Sequence, residues 1–154
     1  MTTSDTQHGQ GQAAFEQNRR LGRGMNILGY DPIWLNMKEA RMQPYHFQRI
    51  RDAGFDHVRI NLHPFGHMGP APDYRLPPAW FEVLDWAVRH ALDHDLLAVL
   101  DMHEFKAMGD NAEGKHDRFM AFWTQLSQHT QGAPDRVLFE LLNEPCRTLT
   151  PELW

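Results

Sequence analysis

The sequence has few of the features that mark several large classes of protein. It contains a single cysteine, Cys146, among 154 residues, and one cysteine excludes a framework of internal disulfides. Its longest apolar run covers only residues 96–100, whereas a membrane-spanning helix needs about 20 such residues. An excess of positive charge is also lacking, because the formal net charge is -5 and the pI is near 6.0. This charge argues against nucleic acid and anionic membrane surfaces as partners.

The first 22 residues also lack the signals of an ordered or exported segment. They are rich in Gln, Ser, Thr and Gly and show neither a helical nor an alternating apolar pattern, which predicts a mostly disordered tail over residues 1–22. No positively charged start followed by an apolar stretch is visible, so no secretory signal is recognised. Cytoplasmic residence and a processed form both stay open.

The remaining residues, 23–154, alternate between predicted strands and helices. Short apolar stretches that end in polar or glycine residues indicate strands, and amphipathic stretches between them indicate helices with one buried face. The strands are predicted at residues 24–29, 55–62, 96–103 and 136–142, and the helices at residues 44–54, 79–94 and 117–129. In the second helix, Trp80 and Trp86 lie at core positions. This rhythm is typical of a parallel α/β fold built from βα units.

The most informative stretch is residues 136–145, Arg-Val-Leu-Phe-Glu-Leu-Leu-Asn-Glu-Pro. It begins as a strand suited to burial on both faces, and it ends with Asn143, Glu144 and a proline that stops the ladder. A buried strand that carries an amide and a carboxyl at its C-terminal end is typical of an α/β barrel, where such ends form the active site.

This stretch resembles the Asn-Glu-Pro strand of glycoside hydrolase family 5, the cellulase-type retaining glycosidases. Val-Arg-Ile around Arg59 and Asp-Met-His-Glu around His103 agree with the same family in the same order. The family's third-strand motif more often has two histidines in succession, and Glu104 takes the second place here. The resemblance implies a parallel (β/α)8 barrel of which this chain holds about the first four units. It also implies a β-glucan substrate, no cofactor, and endo-β-1,4-glucanase activity ahead of mannanase or β-1,3-glucanase activity.

The resemblance further implies a role for each matching residue. Glu144 is expected to be the acid/base catalyst, Asn143 to hold the sugar's 2-hydroxyl, and His103 either to contact sugar hydroxyls or to tune the catalytic carboxyls. Arg59 lies within an apolar strand and needs a partner. Strict alternation puts Glu140 on the face of Glu144, so Glu140 is the candidate partner of Arg59 inside the barrel.

Among the loop aromatic residues Tyr30, Trp34, Phe65, Tyr74 and Phe105, Trp34 is the best candidate for stacking on a sugar ring, because it follows the first strand. Alternation also separates Asn143 from Glu144, so the strand must bulge or end there for both to face the cleft.

The expected mechanism needs a second carboxylate about 5 to 5.5 Å from the first. The family supplies this nucleophile from its seventh strand, whereas Asp101 and Glu104 lie on the strand next to Glu144 and are poor substitutes. A complete barrel typically has about 250 residues, and Thr150-Pro151 indicates the start of a further helix. We therefore expect a half-barrel truncated after the fourth strand and inactive by itself.

Two other interpretations stay open. Ten histidines and the pair His63-x-x-x-His67 would fit a metal-dependent hydrolase, although Pro64 and Gly66 between them do not suit the helical spacing of a zinc motif. Alternatively, the chain is a non-catalytic half-barrel that binds glycan or self-associates, because the open edges of a four-stranded sheet invite pairing.

Overall fold

The computed structural model describes residues 13–154. It contains four strands and five α-helices, which we number in chain order; short 3-10 turns lie between some of them. The strands are β1 (Gly24–Ile27), β2 (His57–Leu62), β3 (Leu97–Met102) and β4 (Val137–Glu140). The helices are α1 (residues 13–21), α2 (Pro44–Asp52), α3 (Pro78–Asp93), α4 (Phe105–Asp110) and α5 (Ala112–His129).

The four strands form one parallel sheet in the order β1-β2-β3-β4. The sheet is not closed, and β1 and β4 are its two edges. Helices alternate with the strands, as crossover connections between parallel neighbours require. The predicted class, a parallel α/β fold of four strands with helices in the three connections between them, is therefore confirmed.

The two faces of the sheet differ in character. Val58, Ile60 and Leu62 of β2 point toward the helices and are 0% exposed, as are Ala98, Leu100 and Met102 of β3. The helices cover them with large apolar side chains, and those that are fully buried include Phe47, Trp80, Leu84, Phe122 and Leu126. Trp80 is 1% exposed, which confirms its predicted place in the core. No helix within residues 13–154 combines the length and the apolar composition that crossing a bilayer requires.

The opposite face of the sheet carries the polar side chains. The register pairs Asn26 with Arg59, Asn61 with Asp101, and Asp101 with Glu140, so these residues lie in neighbouring rows on one face. In a complete barrel this face is the interior. The alternation of each strand thus separates a hydrophobic core from a polar surface that leads up to the strand ends.

Two segments in which the sequence predicts no helix are helical in the structure. The predicted disordered segment 1–22 includes residues 13–21, which form α1; the rest of that segment, residues 1–12, lies outside the described residues. Gln17 and Arg20 of α1 bond to Asp135, just before β4, and these contacts favour a helix that the local pattern alone does not predict.

The second difference lies after β3. Residues 104–115 lie between the third predicted strand and the third predicted helix, and they contain α4 and the start of α5. Asn111 separates the two helices, and its side chain caps α5 by accepting a hydrogen bond from the amide of Gly114. This cap offsets the low helix propensity of Gly114 in the first turn of α5.

Candidate active site

The polar side chains at the carboxyl ends of β2, β3 and β4 form one connected group. Arg59 lies near its centre, because its guanidinium reaches residues from three other strands. Nε and Nη2 donate to the two carboxylate oxygens of Glu140 at 2.7 and 2.6 Å, and Nη2 also donates to Oδ1 of Asn143 at 2.9 Å. Nη1 donates to Oδ1 of Asn26 at 3.2 Å. The partner that alternation predicts for Arg59 is thus in contact with it.

Arg59 and Glu140 stabilise each other in their charged forms. Hydrogen bonds to Glu140 raise the pKa of Arg59 above its ordinary value, and the negative charges of Asp101, Glu140 and Glu144 act in the same direction, against partial burial. The same hydrogen bonds from Arg59 lower the pKa of Glu140. The Arg59 side chain is 18% exposed and that of Glu140 is 36% exposed, so the pair is partly shielded from water and not fully desolvated.

Asp101 of β3 is the most deeply buried charged group of the site. It is 0% exposed, and its Oδ2 atom meets three partners. Asn61 Nδ2 donates to it at 2.7 Å, His103 Nδ1 lies 2.5 Å away, and Arg59 Nη1 forms an ion pair with it at 3.1 Å. Oδ1 of Asp101 is buried without a hydrogen-bond partner among the described residues.

The chain changes direction after β4, and this change sets the positions of Asn143 and Glu144. The strand ends at Glu140, and the amide of Asn143 still bonds to the carbonyl of Met102 at 3.0 Å. Asn143 is 8% exposed, whereas Glu144 is exposed and has a φ of 42°. A positive φ is uncommon for a residue other than glycine. The end of β4 at Glu140 and this backbone conformation together interrupt the strict alternation of the strand before Glu144.

His103 lies beside a rim of aromatic and charged side chains. Its ring is nearly perpendicular to those of His63 and Phe105, with centroids 5.2 and 5.4 Å apart. Tyr30 stacks on His63 at 4.7 Å, and it is 82% exposed. Together with Glu104 and neighbouring residues these side chains line a cavity of about 390 Å³.

Glu104, which replaces the family's second histidine, is held at this rim. Its Oε1 atom accepts a hydrogen bond from the amide of Phe65 at 2.8 Å. Burial raises the pKa of Glu104, although this hydrogen bond opposes the shift. Burial also lowers the pKa of His63, with a further contribution from the neighbouring His103.

Trp34 does not lie in the cleft, so the prediction that it stacks on a sugar ring is wrong. The side chain is 9% exposed, stacks on Trp80 at 5.1 Å, and donates from Nε1 to the carbonyl of Leu28 at 2.6 Å. The 3-10 turn Pro32–Trp34 directs the ring into the core. Tyr30 is instead the exposed aromatic residue that follows β1 at the rim.

The metal-dependent alternative gains no structural support. Within residues 13–154, no three His, Cys, Asp or Glu side chains are arranged to hold a metal ion. His63 and His67 flank the short 3-10 turn Pro64–Gly66, so they do not lie on successive turns of one α-helix.

Sequence reasoning missed the contributions of Asn26, Asn61 and Asp101 to the site. The signal was available, because Asn61 follows Arg59 by two residues and so shares its face. Asp101 likewise precedes His103 by two. What the pattern lacks is the strand register, which brings Asp101 between Asn61 and Glu140.

The model of the cellulase family, glycosyl hydrolase family 5, matches residues 15–154. The chain belongs to glycosyl hydrolase family 5. Among its relatives are the cellulase/esterase CelE of Acetivibrio thermocellus, 28% identical over 128 residues, which are 80% of this chain and 15% of CelE. Endoglucanase A of Ruminococcus albus is 29% identical over 125 residues, which are 79% of this chain and 34% of that protein.

Solved structures of the family agree with the fold. The endoglucanase Cel5A of Thermotoga maritima superposes with a TM-score of 0.81 and is 34% identical, covering 91% of this chain and 46% of Cel5A. Cel5A has also been solved in complex with cellobiose, and that structure matches with a TM-score of 0.79 and 34% identity, covering 90% of this chain and 45% of Cel5A. The chain spans less than half the length of each of these proteins. The four-stranded sheet corresponds to the N-terminal part of the family's (β/α)8 barrel.

Proposed function

We propose that this chain supplies the acid/base side of a retaining endo-β-1,4-glucanase site, with a β-glucan as substrate. In this proposal Glu144 delivers a proton to the leaving glycosidic oxygen and then activates water. Asn143 holds the sugar's 2-hydroxyl, and His103 contacts further hydroxyls. Arg59 and Glu140 hold this arrangement in place without touching the substrate.

The observation that carries the proposal is the arrangement around Asn143. Its Oδ1 atom accepts from Arg59, so its amide hydrogens are left free to donate to a sugar hydroxyl. Glu144 follows directly, exposed at the end of the sheet, as a group that must reach a bound substrate should be. The family assignment and the cellobiose complex of a 34% identical relative support a glucan substrate.

A retaining mechanism requires a nucleophilic carboxylate about 5 to 5.5 Å from Glu144. Glu140 is engaged by Arg59 and Asp101 is fully buried, so neither is suited to attack a sugar. We infer that the nucleophile comes from a part of the barrel beyond these four units, and that the chain alone does not turn over cellulose derivatives.

A chimera tests the role of Glu144 directly. This chain would be joined to the remaining units of Thermotoga maritima Cel5A, and hydrolysis of soluble cellulose derivatives measured. We expect Glu144→Gln to lower kcat by about 100- to 10,000-fold, the usual contribution of general acid–base catalysis. On dinitrophenyl glycosides, whose strongly acidic phenol leaves as the anion without a proton from the enzyme, the first step should be affected much less.

Glu113→Gln is the matched control, because Glu113 lies in the first turn of α5 and is exposed. Glu113→Gln should leave the hydrolysis of cellulose derivatives and of the dinitrophenyl glycosides unchanged. An active chimera in which Glu144→Gln retains normal activity on both substrates would refute the acid/base assignment. Turnover by the unjoined chain that is abolished by Glu144→Gln would refute the inferred need for a further carboxylate.

A second proposal, self-association, is favoured by the edge of β4. Phe139 and Leu141 are 46% and 56% exposed there, and an unpaired edge next to apolar side chains promotes strand pairing. We expect light scattering to detect dimers whose fraction rises with protein concentration, and Phe139→Glu to reduce it. A folded monomer at every concentration would contradict this proposal.

A further inference from the structure

Asp101 has more contacts than the charge of Arg59 requires. Glu140 already forms two hydrogen bonds with the Arg59 guanidinium, so Arg59 does not depend on Asp101 for a counter-ion. Yet Asp101 is 0% exposed, and burial of a second carboxylate is unfavourable unless its partners compensate. The remaining contacts of its Oδ2 atom are with Asn61 and His103.

We propose that Asp101 is a positioning residue that fixes the tautomer and orientation of His103, so that Nε2 of the ring is the hydrogen-bond acceptor offered to the substrate. The relevance to glycan binding rests on the proposed function, whereas the tautomer itself does not. Asp101 thereby acts through His103 and has no contact with the substrate.

The distances decide where the proton of the ring lies. His103 Nδ1 and Asp101 Oδ2 are 2.5 Å apart, and two lone pairs facing each other at that distance would repel. A hydrogen must therefore lie between them, and a buried carboxylate surrounded by three donors is the acceptor. Asn61 Nδ2 is also 3.1 Å from Nδ1, but an amide nitrogen only donates, so it cannot be the acceptor of a hydrogen on Nδ1, and one of its two hydrogens is directed at Asp101. Neutral His103 thus carries its hydrogen on Nδ1.

This arrangement gives the cleft a defined hydrogen-bond pattern. With its hydrogen on Nδ1, His103 accepts at Nε2. Asn143 has its oxygen occupied by Arg59 and therefore donates. The acceptor, His103, is bonded to Asp101, and the donor, Asn143, is bonded to Arg59. Because Arg59 and Asp101 form an ion pair, the acceptor and the donor would be held together to bind two sugar hydroxyls. Loss of Asp101 would let Asn61 donate to Nδ1, which moves the hydrogen to Nε2 and turns the acceptor into a donor.

Nitrogen NMR of histidine-labelled chain tests the tautomer without any substrate. The His103 signals are identified by their loss in His103→Gln. In the unmodified chain we expect Nδ1 to show the shift of a protonated ring nitrogen and Nε2 that of an unprotonated one. Asp101→Leu should reverse this assignment for most molecules, whereas Asp101→Asn, which keeps an acceptor oxygen, should preserve it.

Asp85→Leu is the control, because Asp85 pairs with His129 on the surface at 2.7 Å and should change the spectrum of His129 alone. A hydrogen on Nε2 of His103 in the unmodified chain would overturn the proposal, even if Asp101→Leu does not fold. An unchanged tautomer in a folded Asp101→Leu variant would overturn it too.

Titration with cellobiose then separates this proposal from the proposed function. Asp101→Leu should weaken binding by about 2- to 12-fold, the equivalent of one net hydrogen bond, and should have no further effect in His103→Gln. An equal loss in both backgrounds would overturn the positioning role. Absence of cellobiose binding by the unmodified chain would count against the proposed function, while the tautomer would still decide the role of Asp101.

Discussion

Replacement of Arg59 by lysine tests whether the guanidinium holds the site together. The substitution keeps the positive charge but removes the planar group that contacts Glu140, Asn143 and Asn26 at the same time. A lysine ammonium is a single point on a flexible stem, so it can reach one or two of these acceptors. At least two charge-assisted hydrogen bonds are lost.

The expected loss of stability follows from those bonds. A hydrogen bond to a charged group contributes about 1.5–3 kcal/mol, and the partial exposure of Arg59 and Glu140 reduces this contribution. We therefore expect Arg59→Lys to lower the free energy of unfolding by about 2–4 kcal/mol. For a chain of this size the melting temperature should fall by roughly 4–16 °C.

Urea unfolding, followed by circular dichroism, measures this difference. Arg75→Lys is the matched control, because the Arg75 side chain is 82% exposed and its contact with Asp73 is 3.5 Å long; a change within about 0.5 kcal/mol is expected there. If the unfolding free energy of Arg59→Lys falls no more than that of this control, the hydrogen bonds of the Arg59 guanidinium do not stabilise the sheet, and the prediction is refuted.

Two further predictions concern acidity and the core. Because Arg59 lowers the pKa of Glu140, this carboxylate adds stability above its unfolded pKa of about 4.3, and the contribution is lost as the pH falls through the lower folded value. The unfolding free energies of the unmodified chain and Glu140→Gln should therefore differ at about pH 6 and converge at acid pH; a constant difference would contradict the linkage. Trp34→Ala should lower the unfolding free energy by about 3–5 kcal/mol as a core substitution, and Tyr30→Ala by less than about 1 kcal/mol. Equal losses in urea unfolding would contradict the buried position of Trp34.

The fold was accessible from the sequence because its signals are local. The apolar stretch before His103 and the helical spacing around Trp80 each arise from neighbouring residues, and the strand–helix alternation then restricts the fold to a parallel sheet. The cap at Asn111 shows the limit of this reasoning, since it starts α5 at Ala112, before the helix that the sequence predicts at residues 117–129. Helix α1 shows it as well, because its contacts with Asp135 come from a residue more than a hundred positions away.

The sequence by itself determined the four βα units, the polar ends of the strands, and the likeness to family 5 that Asn143 and Glu144 carry. It determined these because periodicity and short motifs are properties of adjacent residues. Only the tertiary structure decided that Trp34 turns into the core and that Asp101 meets Arg59, Asn61 and His103 at one oxygen. Strand register and backbone direction set these contacts, and both depend on packing between residues that are far apart in the chain.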